Sequence, residues 1–255
     1  MTHRILILGG TTEARLLAAR LAVRSDLDVT LSLAGRTRDP ARQPVPVRIG
    51  GFGGADGLAE YLLENRIEIL IDATHPFARR ISANAAAAAK QAGVHALALR
   101  RPEWQPVQGD RWTMVESIEE GVSALGHEPR HVFVTLGRQE LAPLSLARQH
   151  FYLIRSVDPV EPPLDLPNAD YLLARGPFPE EAECELLLSQ RIDAILAKNS
   201  GGGATYGKIA AARALSIEVI MVRRPPAPGM PLAGTIEEAL AMLNDHLASP
   251  AERGV

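Results

Sequence analysis

The chain has 255 residues, 46% of them hydrophobic and 22% charged, with a net charge of −3. That is a globular composition, long enough for two domains of ordinary size, and its slightly acidic balance gives no reason to expect nucleic acid as a partner. A single cysteine, Cys184, excludes an internal disulfide and a cysteine-built metal site; 4% aromatic residues argue against base-stacking platforms. No apolar run reaches the ~20 residues of a membrane span and no early segment reads as a secretory leader, so a cytoplasmic protein with no metal and no membrane partner is expected.

Residues 5–8 form a continuous apolar run, the pattern of a strand buried on both faces of a parallel sheet. Gly9, Gly10, Thr11, Thr12 and Glu13 follow, and apolar residues then recur at helical spacing at Ala14, Leu17, Ala18 and Leu21. Strand, glycine turn and helix can face an anion such as a pyrophosphate. The turn is not a full G-x-G-x-x-G fingerprint, because its glycines are adjacent and the third is missing, so a tight turn that binds nothing is an equal reading of this motif by itself. A second strand over 29–33 runs through Ser32 into Ala34, Gly35, Arg36, Thr37 and Arg38, with no Asp or Glu from 30 to 38. An acid there would hold a ribose 2′-hydroxyl and an arginine a 2′-phosphate, so a nicotinamide cofactor, if bound, is NADP; a solvated basic loop is the commoner explanation of the same residues.

A third strand over 45–49 enters Gly50, Gly51, Phe52, Gly53 and Gly54, a loop whose backbone can approach a ligand closely while Phe52 covers a flat ring. Asp56 is expected to cap the next helix. The fourth strand, 67–71, turns polar at Asp72, Thr74, His75 and Pro76, where open parallel sheets place their ligands. His75 is held extended before Pro76; it can donate a proton or hydrogen bond, and a structural role is at least as common. Asp72 reads equally well as a buried group bonded to backbone. A helix over 76–92 with a smooth alanine face and a stop at Gly93 follows.

Half a chain later these features return. Arg191 to Asn199 echoes Arg66 to Thr74, Arg100-Arg101-Pro102 is matched by Arg223-Arg224-Pro225, and the helix start Ser117-Ile118-Glu119-Glu120 is matched by Thr235-Ile236-Glu237-Glu238. The openings His3 to Gly9 and His131 to Gly137 also match. These echoes, in one order, indicate two similar α/β halves, with the boundary expected near 126–130: residues 1–128 as a nucleotide-binding domain and 129–255 as a substrate-binding one. After Gly137 the second half carries Arg138 rather than a glycine turn. Lys198, Asn199, Ser200 and Gly201 follow its strand over 192–197 and make an anion-binding arrangement that is not a Walker A loop. Arg175 ends another strand, and Cys184, among glutamates, is expected to be inert.

Read together, Gly9 to Glu13, Ala34-Gly35-Arg36, Gly50 to Gly53, Asp72-Ala73-Thr74-His75-Pro76-Phe77-Ala78, Arg101-Pro102 with Trp104, Thr135 to Gly137, Arg175 to Phe178 and Lys198 to Gly201 resemble the precorrin-6A reductase family of cobalamin biosynthesis over nearly the whole chain. The resemblance implies NADPH-dependent reduction of one double bond of the precorrin-6A macrocycle to give precorrin-6B, by two Rossmann-like α/β domains with mainly parallel sheets and the active site in the cleft between them. It implies cofactor contacts at Gly9, Gly10, Thr11, Thr12, Glu13, Ser32, Gly35, Arg36, Gly51, Phe52, Gly53, Thr74, His75 and Pro76. Arg138, Arg175, Lys198, Asn199, Ser200 and Gly201 are the expected grip on the carboxylates of the tetrapyrrole substrate. His75 is a candidate proton donor, with water or a substrate carboxylate as alternatives; no metal is implied, and a monomer is expected. A cobalt-precorrin-6A reductase, a non-catalytic NADP sensor and a sugar-nucleotide transferase remain as other readings, the last ranked lowest.

Overall fold

The computed structural model describes residues 2–35 and 42–249. Its strands and helices are, in chain order, β1 (His3–Leu8), α1 (Thr12–Leu21), β2 (Leu27–Leu33), β3 (Val47–Ile49), α2 (Ala55–Glu64), β4 (Ile69–Asp72), α3 (Arg79–Ala92), β5 (His95–Leu99), β6 (Trp112–Val115), α4 (Ile118–Ala124), β7 (His131–Thr135), β8 (Phe151–Ser156), β9 (Ala169–Leu173), α5 (Glu180–Ser189), β10 (Ala194–Lys198), α6 (Gly207–Ala214), β11 (Glu218–Val222), β12 (Leu232–Ala233) and α7 (Ile236–Ala248). Two short 3-10 turns, Arg138–Glu140 and Ala142–Leu146, stand between β7 and β8.

The strands make two six-stranded parallel sheets, ordered β12-β5-β4-β1-β2-β3 and β6-β11-β10-β7-β8-β9. Numbered from the central strand, both have the doubly wound order 3-2-1-4-5-6, with the direction of winding reversing between strands 1 and 4. In the first sheet that point lies between β1 and β4, and in the second between β7 and β10.

Side-chain alternation explains how each sheet is covered. Ile5, Ile7, Ile69 and Ile71 point to one face and pack on Leu17 and Leu21 of α1 and Leu243 of α7. Leu6, Leu8 and Leu70 point to the other and meet Leu58 and Leu62 of α2 and Ala85, Ala88 and Ala89 of α3. Burial on both faces is why these strands read as unbroken apolar runs. In the second sheet Phe133, Ile195, Val219 and Met221 pack on Leu187 of α5 and Ile209 of α6. Gly121 brings α4 so close to the opposite face that a β-carbon would fall 2.8 Å from Leu196.

The repeated arginines occupy one backbone position. Arg66 and Arg191 both hold left-handed φ, 51° and 53°, just past the ends of α2 and α5. In each case the next N–H returns to the helix, Ile67 to the Leu62 carbonyl at 2.8 Å and Ile192 to the Leu187 carbonyl at 2.9 Å, a Schellman closure that leads into β4 and β10 respectively.

The expected division at 128/129 is not where the chain divides. One unit comprises the chain up to Pro102 and from Pro225 onward; the other is Glu103–Arg224. The sixth strands are exchanged: β6 pairs with β11 through Trp112 and Val219, and β12 pairs with β5 through Leu232 and Ala98. Both crossings follow the Arg-Arg-Pro echoes, where a proline, lacking an N–H, ends its strand's ladder. A four-residue and a two-residue edge strand carry no information in sequence about which edge they join. Smaller departures concern helix starts: α3 begins at Arg79, and α2 is capped at Gly54 without a side-chain bond from Asp56.

Candidate active site

In the first unit the turn after β1 is built for close approach. Gly9 lies so near Leu31 that a β-carbon would fall 2.6 Å from its Cδ1, and its N–H donates to the Ser32 carbonyl at 2.9 Å. Gly10 has φ +114°, a conformation that side chains rarely adopt, and nothing stands within 4 Å of where its β-carbon would be. Thr11 caps the ten-residue helix α1: its hydroxyl accepts from Ala14 N at 3.1 Å and donates to the Ala73 carbonyl at 2.8 Å. That second bond joins the glycine turn to the end of β4. Thr12 opens the helix, and Glu13 is held by Arg101 at 2.6 Å.

The end of β4 is an internally bonded turn. Asp72, 1% exposed, accepts at Oδ1 from the Thr74 N–H at 3.1 Å and from the Thr74 hydroxyl at 2.6 Å. Its Oδ2 is buried with no hydrogen bond. Ser82 links Thr74, at 3.4 Å, to the buried Arg100, at 2.9 Å. Burial draws the Arg100 guanidinium below its ordinary pKa, and the Asp72 charge opposes that shift. Asp72 and Thr74 therefore shape the loop. The Phe77 N–H donates to His75 Nδ1 at 3.3 Å, which leaves the proton of a neutral ring on Nε2. Pro76 beside it is buried.

The loop after β3 differs from expectation. Arg48, passed over within the third strand, donates to the carbonyls of Gly50 at 2.6 Å and Gly51 at 2.9 Å. Its guanidinium lies 3.7 Å over the Phe52 ring, and Tyr61 meets that ring edge-on at 5.1 Å. One face of Phe52 is thus already covered. Gly53 has φ +82°, and Gly35, with φ +71°, sits under Ile49. Arg36 lies outside the described residues.

In the second unit the turn after β7 and the last residue of β10 meet through a group missed in the sequence. Glu140 Oε2 accepts from Lys198 Nζ at 2.5 Å and from the Gly137 N–H at 2.9 Å. Arg138 reaches the Pro159 carbonyl at 3.3 Å. Asn199, expected on substrate, is 2% exposed and bonded at both ends of its amide to the backbone of Trp104, at 2.9 Å each; its work is to hold the segment that leads to β6. The Ser200 N–H returns to the Lys198 carbonyl at 2.7 Å, and Gly201 turns the chain with φ +68°. Arg175 is exposed on a separate loop after β9. That loop is anchored by Arg155, whose guanidinium lies 3.6 Å over Phe178 and pairs with Glu183 at 2.5 and 2.9 Å. Burial and the neighbouring glutamates raise the Cys184 thiol above its ordinary pKa, as an inert cysteine should be.

Among the described residues no group of three His, Cys, Asp or Glu side chains could hold a metal ion, and no helix is long and apolar enough to cross a membrane. Residues 4–244 match the model of the precorrin-6x reductase CbiJ/CobK family. A precorrin-6A reductase of Sinorhizobium sp. is 60% identical over 245 residues, covering 96% of this chain and 94% of its own. A precorrin-6A reductase of Rhodobacter capsulatus is 47% identical over 252 residues, 99% of both chains. A solved structure of CobK precorrin-6A reductase superposes with a TM-score of 0.93 at 47% identity, covering all of both chains.

Proposed function

The chain belongs to the precorrin-6x reductase CbiJ/CobK family, and from that premise we propose how its residues carry out the reduction. It is an oxidoreductase of cobalamin biosynthesis, acting on precorrin-6A to give precorrin-6B. The reductant is NADPH, and the first unit holds it.

The observation that carries this is the open turn at Gly10, placed at the winding reversal of a 3-2-1-4-5-6 sheet and followed by the N-terminus of α1. The absent side chain at Gly10 and the N–H groups of the turn suit a pyrophosphate. Ser32 and Gly35 lie at the end of β2, where the ribose belongs, and the preference for the 2′-phosphate rests on Arg36 in the sequence. When bound, the cofactor supplies a hydride. The chain's own part is to orient and to protonate. Thr11 and Ala73 keep the glycine turn and the β4 loop in one register, Asp72 and Thr74 fix the loop backbone, and His75 presents a proton on Nε2. Arg138, Arg175 and Ser200 are the grip on substrate carboxylates, and Gly201 turns the chain beside them. Arginine suits this because its planar fork matches a carboxylate. The enzyme works as a monomer in the cytosol on a metal-free macrocycle.

Anaerobic incubation with precorrin-6A and NADPH, with NADH and cobalt-precorrin-6A as controls, tests the whole reading. NADPH oxidation matched by a change in the macrocycle spectrum is expected. Turnover only with the cobalt substrate, or only with NADH, would overturn the substrate or cofactor assignment respectively.

A further inference from the structure

The two units allow a residue-by-residue comparison that sequence alone misaligns. Arg66 and Arg191 share φ values and hydrogen bonds, which sets β4 against β10 with Ile69 equivalent to Ala194. Ile69 pairs with Ile5 and Ala194 with Val132. Ile5 is therefore equivalent to Val132, one residue before the Phe133 that pairing His3 with His131 suggests. Counting forward, Gly137 stands where Gly10 stands, and Glu140 stands where Glu13 stands.

These equivalent glutamates behave differently. Glu13 is drawn aside by Arg101 at 2.6 Å, and the space in front of Gly10 is open. Glu140 folds back across its own turn. Its Oε2 accepts from the Gly137 N–H and from Lys198, whose side chain is 10% exposed. A β-carbon on Gly137 would fall 2.5 Å from that same oxygen, so the carboxylate rests directly on the glycine. The position thus already binds a carboxylate, and the carboxylate is the protein's own. Thr135 ends β7 opposite Ala197 of β10, and its hydroxyl is buried without a hydrogen-bond partner.

We infer that Glu140 is a specificity-determining residue: by filling the anion position at the second unit's winding reversal with its own carboxylate, it keeps nucleotide phosphate out of that unit. The inference rests on the reading that the first unit holds the nucleotide, and it explains why two sheets of one topology do not each take one. A backbone N–H and a lysine ammonium would together receive a phosphate oxygen; a resident carboxylate neutralises the lysine, occupies both donors and repels an arriving anion.

The test is calorimetric titration of the full chain with inorganic pyrophosphate at low salt. Replacing Glu140 by alanine (E140A) should add one pyrophosphate equivalent per chain, bound about tenfold or more tightly than any second equivalent in the wild type. The gain should vanish in E140A combined with K198A and should not appear in E185A, which removes an exposed glutamate elsewhere in the same unit. Thermal melting confirms folding, and E140S gives the same reading where E140A is unstable. No added equivalent in either variant, or one that persists without Lys198, would overturn the inference. A parallel NADPH titration of the wild type keeps the two readings apart. Failure of the wild type to bind NADPH counts against the first unit's nucleotide site, whereas the change in pyrophosphate stoichiometry reports on Glu140 alone.

Discussion

The two units have the same strand order and similar anchoring devices, yet they prepare their loops differently. In the first, Arg48 lies over Phe52 and is satisfied by two loop carbonyls. In the second, Arg155 lies over Phe178 and is satisfied by the buried carboxylate of Glu183. In each, the phenylalanine carbonyl rests on a helix glycine: Phe52 O would be 1.9 Å from a β-carbon on Gly57, and Phe178 O 2.3 Å from one on Gly207. A common topology therefore fixes where loops emerge, and the polarity of one partner decides how rigidly each is held. The first unit keeps a glycine-lined loop closed by one half-buried arginine, whereas the second locks its loop with a buried ion pair.

The sharpest break of this comparison is at the ion pair. Arg155 and Glu183 side chains are 6% and 3% exposed, so R155M leaves a buried carboxylate alone and should cost about 3–5 kcal/mol in urea denaturation. Combining R155M with E183L should recover most of that loss, and R48M in the first unit should cost only about 1 kcal/mol. Equal losses for R155M and R48M would erase the distinction between the loops. Next come the glycine contacts: G57A and G207A should each destabilise by about 1–3 kcal/mol, with G57A the worse because its β-carbon meets backbone more closely.

The smallest effect expected is with pH. His95 of the first unit stacks on His246 at 3.7 Å, and His150 of the second is fully buried, accepting at Nδ1 from the Arg130 N–H at 3.2 Å. Desolvation first, then the adjacent His246 for one and Arg130 for the other, lowers both from the ordinary 6.5. The unfolded chain then binds more protons than the folded one below that value. Stability is full above it and falls as pH drops through it towards the depressed folded values. Melting temperature should decline by a few degrees between about pH 7 and about pH 5, and H150Q should flatten the slope.

Much of this architecture is legible in sequence because burial on both faces leaves unbroken apolar strands and because Arg66 and Arg191 mark the same helix-to-strand turn in the two halves. The exchange of β6 and β12 is not, since short edge strands are chosen by geometry rather than composition. At the candidate site the order of strand, glycine turn and helix, and an Asp72 buried and bonded to backbone, are legible from local chemistry. Asn199 misleads because an amide in a glycine loop looks the same whether it holds a ligand or the Trp104 backbone. Arg48 and Glu140 escape notice because each acts through a partner brought by the fold, the face of Phe52 for one and the β10 terminus for the other.

The claim on which the rest depends is that the nucleotide sits on the Gly10 turn. The direct measurement is NADPH titration of the wild type against G10A, followed by the quenching of protein fluorescence and accompanied by thermal melting. Nothing crowds the new β-carbon, so the cost of G10A is the backbone strain of a side chain at φ +114°, about 1–3 kcal/mol, which the melting curve reads while the turn loses its open face. One NADPH per wild-type chain, with affinity weakened by about 10- to 100-fold in G10A, is the outcome required. Unchanged affinity in a folded G10A protein would contradict it and remove the nucleotide from the first unit.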